Sequence, residues 1–115
     1  MIPRRVIANG AAWTVRPVPP SSPLLVVDGT PRLAATHPAA RLVAYDMTLE
    51  PPLLDRVILH ESAHVLAVDE PYAPRVDEQM AQRIERDAIL CIDFTSRALG
   101  RPPCVDRMCA QPYIL

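Results

Sequence analysis

Polar and apolar positions first alternate near the N-terminus. Val6 and Ile7 lead into Asn9-Gly10, and Trp13, Val15 and Val18 follow with Thr14 and Arg16 between the first of them. Asn-Gly supplies the two positive φ values of a type I′ turn, so residues 4–18 are expected to form a β-hairpin. A cluster of Pro17, Pro19, Pro20, Ser21, Ser22 and Pro23 then predicts an irregular connection, since proline lacks the N–H that a central strand uses. The short apolar run Leu24–Val27 ends at Asp28-Gly29, a second turn signal. Residues 32–36 read as a strand or an irregular arm, broken at His37-Pro38, and Arg41–Asp46 reads as a strand.

The period then changes. Thr48 is the expected N-cap of a helix over about 50–67, with Pro51 and Pro52 tolerated in its first turn. Leu53, Val57, His60 and His64 share one face of it. Leu54, Ile58 and Val65 flank that face, and Leu59, Ala63 and Leu66 lie behind. A helix apolar on most sides is expected at the centre of the fold. A second helix is expected from Arg75 to about Leu99, with an inner stripe of Val76, Met80, Ile84, Ala88, Cys91, Ile92 and Thr95, and a stop at Gly100 before Pro102-Pro103. The expected fold is α+β: a small, mainly antiparallel sheet followed by two packed helices, in one domain over residues 1–100 with a tail over 101–115. The tail has no clear periodicity and receives no role.

Chemistry enters at His60-Glu61-Ser62-Ala63-His64, which uses two of the three histidines in 115 residues. Four helical steps of about 100° nearly close a turn, so both imidazoles point the same way and can share one Zn²⁺. Glu61 stands one residue past His60 and can act on a water that the metal activates. The bare pattern arises by chance in roughly one short chain in a few hundred, so its surroundings must carry weight. They do: Leu59, Ser62, Ala63 and Val65 are all uncharged. The bland alternative, two satisfied core histidines, leaves a glutamate on an apolar helix with nothing to compensate its charge. His37, before a proline in a polar stretch, is expected to be solvated.

The third ligand must come from elsewhere. Glu70 falls six residues after His64, where a metzincin places its third histidine, but position 67 is Ala where that turn needs glycine. Asp77 lies on the apolar stripe of the second helix, and Glu78 sits at its edge with a longer reach; helical spacing slightly favours Asp77. Either can also be an ordinary carboxylate near a helix N-terminus. Tyr45, Tyr72, Tyr113 or an Arg can assist an oxyanion, and the sequence does not rank them.

Composition narrows the setting. A net charge of −1, without any block of like charge, gives no electrostatic ground for nucleic acid as a partner. Met1–Arg5 resembles a charged leader, but the apolar run after it ends at Asn9-Gly10, too soon for a signal peptide, and no run approaches a membrane span. The expected location is the cytoplasm. Three cysteines, Cys91, Cys104 and Cys109, are expected as reduced thiols, with a Cys104–Cys109 bridge as the alternative. One Phe and one Trp leave a modest core, which a bound metal would help to stabilise.

The segments Arg41–Asp46, Thr48–Asp55, Leu59–His64 and Asp77–Ala81 together resemble the minimal zinc-dependent peptidases of phages and mobile elements, similar to the ImmA/IrrE and SprT-like groups. The resemblance spans roughly residues 5–98, and its specific part is His60–His64. It implies a zincin-like fold in which a strand leads into the His-Glu-x-x-His helix and a Glu near the start of the next helix completes the site. Met80-Ala81 matches the small apolar pair after that Glu and puts the ligand at Glu78; Asp77 departs from the apolar residue expected before it. The resemblance therefore implies a zinc metallopeptidase: Zn²⁺ on His60, His64 and Glu78, Glu61 as the catalytic base, and a peptide or protein as substrate. The strand 41–46 is expected to be the edge on which an extended peptide lies. The competing expectation is a catalytically silent zincin-like module that keeps its metal for stability and grips a partner such as a repressor.

Overall fold

A computed structural model describes residues 2–68 and 88–104. Six strands come first: β1 (Arg4–Ala8), β2 (Ala11–Val18), β3 (Val26–Val27), β4 (Thr30–Pro31), β5 (Ala34–His37) and β6 (Leu42–Asp46). Short 3₁₀ turns at Pro23–Leu25 and Pro38–Ala40 punctuate them, and helices α1 (Leu53–Ala67) and α2 (Ala88–Leu99) follow. The main sheet has the order β1-β2-β6-β5, and β3 and β4 form a separate ribbon. β2 and β6 run parallel; the other pairs are antiparallel. This is the expected α+β class, a mainly antiparallel sheet followed by two helices. No helix among the described residues is long and apolar enough to cross a membrane.

The turn chemistry works as expected. Asn9 and Gly10 have φ of 50° and 75°, and Asp28 and Gly29 repeat the pair at 51° and 76°. Pro17, expected in the connection, instead lies inside β2 opposite Tyr45. The ladder explains why it is tolerated. Thr14 N–H donates to Arg41 and Val18 C=O accepts from Met47, so even-numbered residues of β2 bond β6 and odd-numbered ones face β1. β1 ends at Arg4, opposite Val15, so the missing N–H of Pro17 faces a side with no strand.

Register decides which side chains meet the helices. Val6 pairs Trp13, Val15 pairs Val43, Val43 pairs Thr36 and Tyr45 pairs Ala34, so these residues share one face of the sheet. Val6, Trp13, Val15 and Val43 pack there with Leu54, Ile58 and Val65 of α1 and Cys91, Phe94 and Ala98 of α2. On the other face Val18 and Ala44 are covered by Leu25. The inner stripe of α2 keeps Cys91 and Thr95 buried but adds Phe94 and Ala98, while Ala88 and Ile92 are half-buried. The expected start of this helix, from Arg75, lies outside the described residues.

Three local expectations are corrected. The strand at 41–46 is internal, between β2 and β5, and β5 is the sheet edge. Thr48 does not cap α1. Its N–H and Oγ1 both donate to Asp46 Oδ1, at 2.8 and 2.6 Å, in an Asx-type turn, and the helix begins later, at Leu53. Cys104 is disulfide-bonded and not a reduced thiol, whereas Cys91 is a buried thiol outside any disulfide. That removes the reduced thiol at position 104 which accompanied a cytoplasmic expectation.

The end of α2 is set by Gly100, whose φ is 74°. Its N–H donates to Ser96, as does that of Arg101, and its Cα lies against the guanidinium of Arg4. The Arg4 head group can move aside, so the cost of Gly100→Ala is mainly the left-handed backbone. It should lower stability by about 1–2 kcal/mol, read as a lower denaturant midpoint at unchanged slope.

Candidate metal centre

α1 is buried along most of its surface, with Leu54, Val57, Ile58, Ala63, Val65 and Leu66 all in the core. This fixes the rotation of the helix. His60 is left exposed, His64 is half-buried, and Glu61, one step past His60, turns beneath the sheet with 7% exposure. The two imidazoles meet edge to face, with ring centroids 5.1 Å apart and an interplanar angle of 72°. Donor atoms of His60, Glu61 and His64 lie within 4.8 Å of one another.

Glu61 is positioned by the sheet. Thr36 Oγ1 donates to Glu61 Oε1 at 2.8 Å, leaving Oε2 facing His60 Nε2 at 3.9 Å. Burial lowers the pKa of His64; the carboxylate of Glu61 opposes this, the neighbouring His60 reinforces it, and the net direction is down. His64 is thus held as the neutral imidazole, the form with a lone pair to give a metal. Thr36→Val should leave zinc affinity intact. It should reduce any Glu61-dependent turnover about tenfold, checked by kcat and KM together, because outer hydrogen-bond partners orient the groups that act.

The three side chains open into a cleft of about 330 Å³ walled by Val27, Arg32, Ala34, Ala35, Thr36 and Pro38. β5 forms its rim. Leu33 C=O accepts from Asp46, so Leu33, Ala35 and His37 direct their backbone groups to β6. Those of Ala34 and Thr36 point off the sheet, and among the described residues no strand pairs with that edge.

Two imidazoles four apart on a helix, one of them held neutral, with a carboxylate in the same cluster, form a nitrogen-and-oxygen donor set that suits Zn²⁺. The expected ligands His60 and His64 and the expected base Glu61 are therefore brought together. Glu78, Asp77 and Glu70 lie outside the described residues, as do Tyr72 and Tyr113. Tyr45 packs against the core and is not part of the cleft wall; burial raises its pKa against the opposing influence of Arg4. His37 is half-buried rather than free in solvent. It neighbours Thr36 and so points to the opposite sheet face, where its Nε2 bonds the Leu24 carbonyl at 2.7 Å.

Several residues at or near the site are not marked by the sequence reading. Thr36 and Arg32 have no local signature, since their place in the cleft depends on strand register. Asp55 did carry a signal: a carboxylate within a buried helix needs a partner. Arg101 supplies it through two hydrogen bonds of 2.8 and 2.6 Å, and the Cys104 N–H adds a third at 2.6 Å. The first residues of the tail are thereby fastened to α1, the helix that carries His60, Glu61 and His64. Comparison of the chain with models of protein families, with curated proteins and with solved structures finds no match.

Proposed function

We propose that this protein is a zinc-dependent metallopeptidase that hydrolyses a peptide bond in a protein substrate. The observation that carries the reading is the cluster of His60, Glu61 and His64 at the foot of a cleft whose rim is a strand edge that no strand among the described residues pairs. His60 and His64 would hold the ion, and Glu78 is the proposed third ligand, on the resemblance to small phage-type peptidases. A bound Zn²⁺ supplies Lewis acidity, polarising a carbonyl and making water more acidic. Glu61 then accepts a proton from the attacking water at its carboxylate and delivers it to the leaving amine. Thr36 fixes one oxygen of that carboxylate and leaves the other for the proton. The amides and carbonyls of Ala34 and Thr36 can pair an extended substrate, with the small Ala34 leaving room for its side chains. The partners proposed are thus peptide or protein alone, without nucleic acid, and the proposed location is the cytoplasm.

A second reading, a silent zincin-like module that binds a regulatory protein, draws on the same cluster and cleft, because a metal held for stability and a strand edge that pairs a partner need no turnover. The test is a pooled peptide library incubated with the zinc-loaded protein. Cuts that disappear with a chelator and return with Zn²⁺ support the enzyme. A protein that holds zinc tightly and yields no such cut is the binding module.

A further inference from the structure

Arg32 belongs to the cleft wall that also carries His60, Glu61 and His64. Its position is fixed by its neighbours. Its N–H donates to Leu25 C=O at 2.8 Å, the β3–β4 ribbon pairs immediately before it, and Leu33 C=O accepts from Asp46 immediately after it. The guanidinium, by contrast, is exposed and makes no ion pair or side-chain hydrogen bond with any described residue. Among the described residues its charge is not answered within the cleft. Glu61 is the one carboxylate among the described residues of the wall, and it is turned under the sheet to Thr36 and the two imidazoles. The other described residues of the wall near Arg32 are Val27, Ala34, Ala35 and Pro38, which offer no competing acceptor side chain.

We propose that Arg32 is a specificity-determining residue that receives a carboxylate of the substrate peptide. The carboxylate is either an Asp or Glu side chain a few residues from the cleaved bond or the peptide's own C-terminus. A guanidinium presents a planar fork of N–H donors that matches both oxygens of a carboxylate, and a fork on a fixed backbone selects by position as well as by charge. A rigid β-edge beside it gives the peptide main chain a register, so the acidic group falls at one set distance from the reacting carbonyl. The inference rests on the peptidase reading for its reaction, but carboxylate recognition can be measured without turnover.

The probe is a pooled library of synthetic peptides, with the full chain loaded with Zn²⁺. Cut sites of the wild type should be enriched about tenfold for Asp or Glu, or for a free C-terminus, at one fixed distance. Arg32→Glu should erase that preference and favour Lys or Arg there. Amidating the C-terminus of the best substrate separates the two sources: loss of cutting assigns the terminal carboxylate, and unchanged cutting assigns the side chain. Glu61-dependent cutting with the same preferences in wild type and Arg32→Glu overturns the proposal and leaves the peptidase intact. If nothing is cut, the peptides retained by immobilised Glu61→Gln protein decide. Acidic peptides held by that protein, and not by the Arg32→Glu, Glu61→Gln double variant, keep the carboxylate site and remove the peptidase. Equal retention by both removes the carboxylate site.

Discussion

Glu61→Gln should lower kcat/KM on any cleaved peptide by about 10³-fold or more while leaving zinc content at the wild-type level. The substitution keeps the size and shape of the side chain. Its amide oxygen can still accept from Thr36 Oγ1, which donates to Glu61 Oε1 at 2.8 Å, so the cleft keeps its form. What is lost is the ability to take up a proton. General-base action alone contributes roughly 10²–10⁴-fold, and the same group serves again as the acid for the leaving amine. Stability should not fall. Glu61 is 7% exposed, and removing a buried negative charge relieves a desolvation cost in the metal-free protein. Cleavage within tenfold of wild type, at full zinc occupancy, would show that Glu61 is not the base. Equal loss of zinc and of cleavage would instead make it a ligand.

Arg101→Met should cost about 3–5 kcal/mol of folding stability, the largest effect expected outside the metal centre. Asp55 is 0% exposed and sits in the first turn of α1, on its buried side. Burial alone would raise its pKa, but hydrogen bonds from Arg101 and the Cys104 N–H, with the charge of Arg101, hold it below the ordinary carboxylate value. Without Arg101 the carboxylate keeps, among the described residues, only the backbone donor Cys104 N–H. The reverse change is milder. The side chain of Arg101 is 39% exposed, so in Asp55→Leu its charge turns to water, and the double variant Asp55→Leu, Arg101→Met should recover most of the loss. The sign of the pH dependence follows. A carboxyl depressed in the folded state contributes stability above its unfolded pKa of about 3.9, and that contribution is lost as the pH falls through the folded value. Wild type should therefore lose stability steeply below about pH 4, and Asp55→Leu, Arg101→Met should show a flatter acid limb in denaturant titrations. An Arg101→Met midpoint within 1 kcal/mol of wild type would show that the clasp contributes little.

How much of this is legible in the sequence depends on how local each cause is. The turns at Asn9-Gly10 and Asp28-Gly29 and the stop at Gly100 are local: the residues that tolerate positive φ mark them, and all are found there. α1 is legible from its all-round apolar pattern, and with it the common face of His60 and His64. Its start is less so. Thr48 is a good capping residue, but Asp46 competes for its donors, and the competition is decided by where β6 ends. Strand order is a non-local choice. β2 pairs β6 in parallel across the intervening ribbon, which moves β6 inside the sheet and leaves β5 at the edge. Nothing in the alternation of 41–46 distinguishes an internal strand from an edge. Thr36 and Arg32 inherit that difficulty, because a one-residue slip of β5 would exchange Thr36 for His37 on the helix side. Asp55 is a carboxylate in an otherwise apolar helix, which calls for a partner, yet that partner lies 46 residues away in a stretch without periodicity.

The central claim is that His60 and His64 hold one metal ion, and the direct measurement is the zinc content of the purified full chain beside His60→Ala and His64→Ala. About one zinc per wild-type chain is expected, removable by a chelator with a fall in melting temperature, and much reduced occupancy is expected in either variant. Wild-type protein that binds no zinc on reconstitution, or histidine variants that retain it in full, would contradict the account.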